Sequence, residues 1–372
     1  MVIFLSAILF LFSGYSLLIF YYYKNWKKIP EYILPEKKYT EKISVIIPAR
    51  NEEKNIGALL KKLSEQTYPQ ELTEIIVIDD HSEDHTAAIV AGFNYVKLIS
   101  LHQDIHNSYK KKALEIGIMA ASGTLIVTTD ADCLPETNWL ETLVSFKINN
   151  DSVFIAAPVS FTNNSSLLEI FQALDFLVLQ GITAASVHSK SHSMCNGANL
   201  AYTRTAFFQV KGFAEIDHIA SGDDMLLMHK IWKQYPGKVH YVKSKQAIVS
   251  TAPMTTWKTF FNQRIRWASK AGSYSDKRII IVLLLVYFFN LSFPVLFIAA
   301  FFTPVYWYWL AGLWVAKTLI EFPFVSSVSS FYNKQNLMRY FFFFQPLHIL
   351  YTIMAGFLGQ TGSYEWKGRK VK

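Results

Sequence analysis

Apolar residues are spread unevenly along this chain, and that unevenness limits the possible folds more than any other feature. They crowd into residues 2–23 and into the stretch after residue 278, leaving a middle of ordinary composition. Of the 372 residues, 51% are hydrophobic and 17% charged. That is too apolar for an ordinary soluble protein and too charged for a pure membrane bundle. One water-facing domain, large enough for a real core, is expected between membrane segments.

Val2–Tyr23 is long enough to span a bilayer, which takes about 20 residues. It lacks the basic start and small-residue cleavage site of a signal peptide. Tyr21-Tyr22-Tyr23 and Lys24 read as an inner interfacial belt, which puts residue 30 onward in the cytosol. Ile279–Phe302 and Trp307–Phe324 are expected spans, the second carrying Glu321. Phe341–Leu358 is a third spanning or interfacial segment. Lys334 and Arg339 put the loop before it inside. A true third span then carries Lys367, Arg369, Lys370 and Lys372 outside, against the charge rule. The net charge of +8 sits largely beside apolar stretches, at Lys24, Lys27, Lys28, Lys270, Lys277 and Arg278. Anionic lipid explains that placement better than nucleic acid, for which no basic-aromatic motif is present. The two cysteines, Cys133 and Cys195, give neither metal spacing nor a disulfide framework and read as small buried residues.

The middle alternates strand and helix. Residues 30–42 read as linker. Ile43–Pro48 is a buried strand, and Ile56, Leu59, Leu60 and Leu63 follow at helical spacing. Glu74–Asp80 is a second strand ending in carboxylates, with Ser82 expected to cap the next helix. Tyr95–Ile99 is a third strand, Lys110–Met119 a helix and Leu125–Thr129 a fourth strand. This order predicts parallel βαβ units with right-handed crossovers. No Gly-rich dinucleotide or P-loop fingerprint accompanies them. Leu167–Val187 is apolar but interrupted by Glu169, Gln172, Asp175 and Gln180, so a buried or membrane-apposed helix is expected. Asn196–Tyr202 reads as a strand, with Gly197 where a backbone approaches a ligand.

Three sets of residues carry chemistry. Asp130 and Asp132 close the fourth strand, where alternation lets both face one side. Open α/β sheets bind ligands at the carboxyl ends of their strands, and hard oxygens at this spacing suit Mg²⁺ or Mn²⁺ on a diphosphate. Aspartates at a strand end also serve as plain turn residues. Asp223-Asp224 open an amphipathic helix, where carboxylates also favour the dipole. Gln263, Arg266 and Trp267 fall at i, i+3 and i+4 of a helix and share a face. An interfacial helix sets Trp and Arg at lipid headgroups in the same way.

Over residues 43–270, these pieces in this order resemble glycosyltransferase family 2, in its membrane-bound branch with the D, D, D, QxxRW signature. Ser44–Glu52 resembles the opening strand and nucleotide loop, and Val77–Ser82 the DDxS element. Lys110–Leu114 resembles the lysine loop, Thr129–Asp132 the DxD, Asp223-Asp224 the Glu-Asp pair and Gln263–Trp267 the QxxRW. His81 stands for the usual Gly, Glu115 for Asn and Asp223 for Glu. The resemblance implies an α/β GT-A fold: a mostly parallel central sheet, flanking helices and transmembrane helices at both ends. It divides the chain into a span (1–24), a linker (25–42), a catalytic domain (43–250), an interfacial region (251–278) and a membrane region (279–372).

The resemblance further implies inverting, metal-dependent hexosyl transfer from a nucleotide diphosphate sugar, of UDP type, at the cytosolic face of a multi-pass inner-membrane protein. Pro48, Ala49, Arg50, Glu52, Asp79, Asp80, Lys110 and Asp130 would hold the nucleotide and its phosphates. Asp132 with Asp130 would take Mg²⁺ or Mn²⁺. Asp224, beside Asp223, would be the general base, and Gln263, Arg266 and Trp267 the acceptor or phosphate wall. The membrane segments imply a lipid or lipid-linked acceptor. A processive synthase of the cellulose, chitin or hyaluronan type is the alternative, though two or three carboxy-terminal spans poorly support a self-contained channel. A non-catalytic copy would have lost an aspartate or the Arg-Trp pair, and this chain keeps them all.

Overall fold

The computed structural model describes residues 2–37, 39–101, 109–162, 165–191, 194–217, 219, 222–270, 276–361, 364–366 and 369–371. The apolar runs become strands and the amphipathic runs helices. The amino-terminal half holds α1 (Val2–Lys28), β1 (Ile43–Ala49), α2 (Ile56–Ser64), β2 (Thr73–Asp79), α3 (Thr86–Ala91), β3 (Val96–Ser100), α4 (Tyr109–Ala120) and β4 (Leu125–Thr128). Then come β5 (Cys133–Pro135), α5 (Trp139–Asn150), β6 (Phe154–Ala156), β7 (Val159–Phe161), α6 (Leu167–His188), β8 (Leu200–Thr203) and α7 (Arg204–Gln209). The rest comprises α8 (Asp223–Gln234), β9 (Val239–Tyr241), β10 (Val249–Thr251), α9 (Trp257–Ala268), α10 (Lys277–Phe302), α11 (Val305–Phe331), α12 (Phe341–Thr361), β11 (Tyr364–Trp366) and β12 (Arg369–Val371).

The central sheet has seven strands in the order β3-β2-β1-β4-β8-β6-β9. β1 pairs in parallel with β2 and β4, and β2 with β3, while β8 runs antiparallel to both β4 and β6. A three-stranded sheet, β5-β10-β7, stands beside it. Strand alternation splits the apolar residues between two cores. Val45, Ile47, Ile75, Val77 and Val127 pack with Leu59 and Leu60 of α2 and Trp139 of α5. Ile46, Ile76, Ile78 and Ile126 belong to the opposite core, which runs on without a break into Tyr15 and Trp26 of α1, Phe289 of α10 and Phe324 of α11. The sheet and the long apolar helices therefore share one core.

Among the described residues, four helical stretches are long and apolar enough to cross a membrane: Val2–Lys28, Leu167–His188, Lys277–Phe302 and Gln335–Gln360. Of their most apolar windows, that of α6 is 83% buried within the protein, against 17%, 33% and 28% for the others. α6 is thus a buried helix, as its polar residues implied, and protein rather than lipid satisfies them. Gln172 donates to Met254 O at 2.8 Å, and Gln180 Oε1 accepts from Val159 N at 3.0 Å. Glu169 closes a capping box with Ser166 instead of interrupting the helix. The expected span around Trp307–Phe324 is a continuous helix, α11, but it is not among the four; Lys317 and Glu321 in its middle lower its apolar character.

Several expectations shift. α1 continues to Lys28, beyond the anticipated end at residue 24, because Trp26 is buried against Phe331. Ser82 does not cap α3; its hydroxyl accepts from Asn51 N at 3.0 Å, and Asp84 takes Thr86 N at 3.0 Å. The strand expected from Asn196 begins only at Leu200, because Asn196 Oδ1 accepts from Ala198 N and turns the chain. Cys133 is buried but Cys195 only partly so. Of the basic tail, Lys367 and Lys372 lie outside the described residues.

Asn199 fixes the turn that leads into β8. It is fully buried; its Oδ1 accepts from Trp139 Nε1 at 2.9 Å, and its Nδ2 donates to Pro158 O and Ala247 O at 2.8 Å each. Asn199→Ala leaves an indole N–H and two carbonyls without these partners and is expected to destabilise the fold by about 3 kcal/mol. A lowered thermal midpoint of the detergent-solubilised variant checks this.

Candidate active site

A cleft of about 630 Å³ opens at the carboxyl ends of β1, β2 and β4, under α8 and α9. Pro48, Ala49, Arg50, Glu52, Asp80, Lys110, Asp130, Asp132, Asp223, Asp224, Gln263, Arg266 and Trp267 all line it. Groups separated by more than 180 residues in sequence thus meet around one space. Asp79, expected among them, does not line the cleft. It ends β2 with its carboxylate turned to Ser82 N, 3.3 Å away, and shapes the turn behind Asp80.

The loops after β1 and β2 are tied together by Arg50. Its guanidinium donates to Asp80 O at 2.8 Å and His81 O at 3.2 Å. His81 stands at φ +55°, the left-handed conformation that suits glycine. Its Nδ1 is 3.0 Å from Asp80 Oδ1, a contact that a glycine lacks. Glu52 N donates to Thr86 Oγ1 at 2.7 Å, and its carboxylate accepts from Asn55 Nδ2 at 2.7 Å.

Charge is concentrated at the centre. Lys110 Nζ lies 2.6 Å from Asp130 Oδ1 and 3.5 Å from Asp223 Oδ2. Burial alone favours a neutral Lys110, but Asp130 and then Asp223 outweigh it and hold the ammonium above its ordinary range. Burial likewise raises Asp223, yet Lys110, Lys270 and Lys111 reverse this and leave its carboxyl below the usual value. Of the three consecutive lysines, only Lys110 enters the cleft. Lys111 donates to Ile216 O (2.7 Å) and Ile219 O, and Lys112 pairs with Glu115 at 2.9 Å.

Asp224 is held through both oxygens, Oδ2 accepting from Gly197 N at 3.1 Å and Oδ1 from Met225 N at 2.7 Å. The backbone approaches so closely here that a Cβ at position 197 would sit 3.2 Å from both Asp223 Oδ2 and Lys110 Nζ. Asp132 accepts from Thr251 Oγ1 at 3.3 Å. Among the described residues, no group of three or more His, Cys, Asp or Glu side chains is arranged to hold a metal ion. The DxD therefore offers two carboxylates, one of them already beside Lys110.

α9 is capped by Thr256 and Thr259 and turns Thr259, Gln263, Arg266 and Trp267 to the cleft. Lys258, Asn262 and Lys270 also line it. Lys270 Nζ is 3.7 Å from Asp224 Oδ1, whereas the sequence placed it among juxtamembrane charges. Its position three residues after Trp267, on the same stripe, is the signal that marks it.

A mostly parallel sheet with a carboxylate-lined cleft at its strand ends, closed by an aromatic-basic helix, is a GT-A-type α/β domain. Residues 44–207 match the family model described as glycosyl transferase family 2. It is 29% identical over 239 residues to the probable glycosyltransferase YdaM of Bacillus subtilis, covering 62% of this chain and 55% of that protein. It is 31% identical over 136 residues to the UDP-Glc:alpha-D-GlcNAc-diphosphoundecaprenol beta-1,3-glucosyltransferase WfgD of Escherichia coli, covering 35% of this chain and 51% of the relative. The chain thus spans about half the length of each. The mannosyltransferase PcManGT from Pyrobaculum calidifontis, solved with GDP-Man and Mn²⁺, superposes with a TM-score of 0.58 over 96% of this chain and 97% of that one, at 18% identity. The shared feature there is the fold.

Because Lys110 lowers Asp223, that carboxylate's stabilising contribution is present above its unfolded-state pKa and is lost as pH falls through the depressed folded value. Removing the ammonium takes away the largest of these opposing charges and leaves Lys270 and Lys111. Lys110→Met is expected to lower the thermal midpoint at neutral pH, and the deficit should narrow as pH falls through the carboxylate range, where the wild type loses the Asp223 contribution. A deficit independent of pH would contradict this charge balance.

Proposed function

We propose that the protein is an inverting glycosyltransferase that moves a sugar from a nucleotide diphosphate sugar, of UDP type, onto a membrane lipid or lipid-linked acceptor. The observation that carries the reading is the meeting of Asp80, Asp132, Asp224 and the Gln263–Trp267 face in one cleft beside apolar helices. The loops holding Arg50, Glu52 and Asp80 would take the base and ribose. Lys110 and Arg266 would face the phosphates, where fixed positive charge favours the departing diphosphate.

Asp132 and Asp130, both lining the cleft, are the residues that would hold a hard divalent cation. Such a cation, Mg²⁺ or Mn²⁺, offsets charge building on the leaving group. Asp224 would act as general base. Its carboxylate, oriented by Gly197 N and Met225 N, takes the proton of the acceptor hydroxyl as that oxygen attacks the anomeric carbon from the face opposite the diphosphate. Gln263 and Trp267 would form the acceptor wall. The adjoining apolar helices and a relative whose acceptor is a diphosphoundecaprenol-linked sugar support a lipid-side acceptor. The basic residues flanking those helices support a cleft on the cytosolic side of the membrane.

The test offers the purified chain a panel of labelled UDP- and GDP-sugars with Mg²⁺ or Mn²⁺ and a total membrane lipid extract. Label is expected in a single lipid product; long polysaccharide instead would favour a processive synthase. Asp224→Asn is expected to cut turnover by about 10²- to 10⁴-fold while binding nucleotide as tightly as the parent. Full transfer by that variant would remove Asp224 from the role.

A further inference from the structure

Arg264 is the cation of α9 that turns away from the cleft. It is 3% exposed and lies in the seam between α6 and α12. Its NH2 is 2.7 Å from Asp175 Oδ2 of α6. Tyr351 of α12 donates to the other oxygen of Asp175, and His348 Nε2 stands 3.8 Å from that oxygen. The guanidinium lies 4.2 Å from the centre of the Trp267 ring and 4.8 Å from that of Phe260. Its NH1 donates to Gln263 Oε1 at 3.0 Å. Two side chains that α9 presents to the cleft are therefore held from behind by one buried group.

The contacts of that group are specific to arginine. Nε and NH2 are buried without a well-aligned hydrogen bond, so the guanidinium relies on its ion pair and on the aromatic faces. A planar cation can stack on Trp267 while reaching Gln263 and Asp175 at once; an ammonium cannot.

We infer that Arg264, locked by Asp175, is a positioning residue that sets the orientation of Gln263 and Trp267, and through them the fit of the acceptor, without touching a reactant. The inference rests on the transfer reaction proposed above. Its competitor is an ion pair that merely docks α9 onto α6. The two differ in what an apolar replacement does. Buried ion pairs exchanged for packed apolar residues often leave a fold as stable as before, so docking survives the exchange but positioning does not.

The experiment uses the full chain in detergent micelles. It compares wild type, Arg264→Lys and the double variant Arg264→Met/Asp175→Leu, with a labelled UDP- or GDP-sugar from the panel and total lipid extract as acceptor. The double variant is expected to keep its thermal midpoint and its affinity for UDP or GDP. Its apparent KM for the extract should rise about tenfold, with a smaller fall in kcat. Arg264→Lys should raise KM in the same sense, and should change nothing further in a Trp267→Ala background, where the positioned group is gone. An unchanged acceptor KM in the double variant, or full additivity with Trp267→Ala, would overturn the inference in favour of docking. A wild-type chain that transfers no sugar overturns the transfer reading instead. Hydrogen exchange over residues 262–267 then decides on the clamp alone: faster exchange in Arg264→Lys supports it, and unchanged exchange sinks it.

Discussion

The cleft holds together because one ammonium stands between carboxylates from different parts of the fold. Lys110, on the first turn of α4, reaches Asp130 at the end of β4 and Asp223 at the start of α8. Without it, Asp130 and Asp223 would lose the counter-charge between them, and like charges in a partly dry cleft repel strongly. Lys270 adds a second counter-charge beside Asp224. The same arrangement is poised for a ligand. The diphosphate and cation proposed above would bring one anion and one cation into a site that already alternates acid and base, so binding would exchange partners without leaving a buried charge alone.

Beneath the cleft, the sheet and the long apolar helices are not separable units. One face of β1, β2 and β4 buries its isoleucines in a core that extends into α1, α10 and α11. α6 lies between, and a close crossing fixes it: a Cβ at Gly181 would fall 2.6 Å from Val328 and 2.8 Å from Phe324 of α11. Buried charge repeats the logic inside the helical bundle. Lys317 and Glu321 of α11 pair at 2.7 Å, and Gln345 of α12 and Tyr15 of α1 bond to Glu321. Ionisable groups at such depth are tolerated only when fully partnered, so each ties helices together that apolar contact alone would let slide.

Much of this was legible before any coordinates. The period of the apolar residues gave β1, β2, β4 and α4 within one or two residues, because local pattern decides buried parallel strands. The cleft's carboxylates were legible because aspartates at strand ends and helix starts have few structural reasons to recur in that order. What the sequence hid was set by tertiary placement. Asp79 and Asp80 are adjacent and chemically alike; only the strand's pleat decides that Asp80 faces the cleft. Lys270 looked like a lipid anchor because it precedes the apolar stretch that begins at Ile279, whereas its neighbours in space are aspartates. The polar residues of α6 already favoured a buried or membrane-apposed helix over a span, but that Val159, Met254 and Arg264 are what meets them is set by tertiary placement.

The union of sheet and helices also bears on what can enter the cleft. α9 packs on α12 through Phe260, Phe171, Tyr351 and Ala355, a cluster with α6 at its back. Its cleft face and its packing face are opposite sides of twelve residues. The wall formed by Gln263, Arg266 and Trp267 therefore sits at a fixed height relative to α12, whose 26-residue apolar stretch with the preceding turn is long enough to cross a bilayer. A soluble acceptor would gain nothing from that fixed height, since it can approach at any depth. The hydroxyl of the lipid-borne acceptor proposed above would lie within a few ångströms of one plane, and a wall locked to that plane would meet its ordering cost once, in folding, rather than at each binding event.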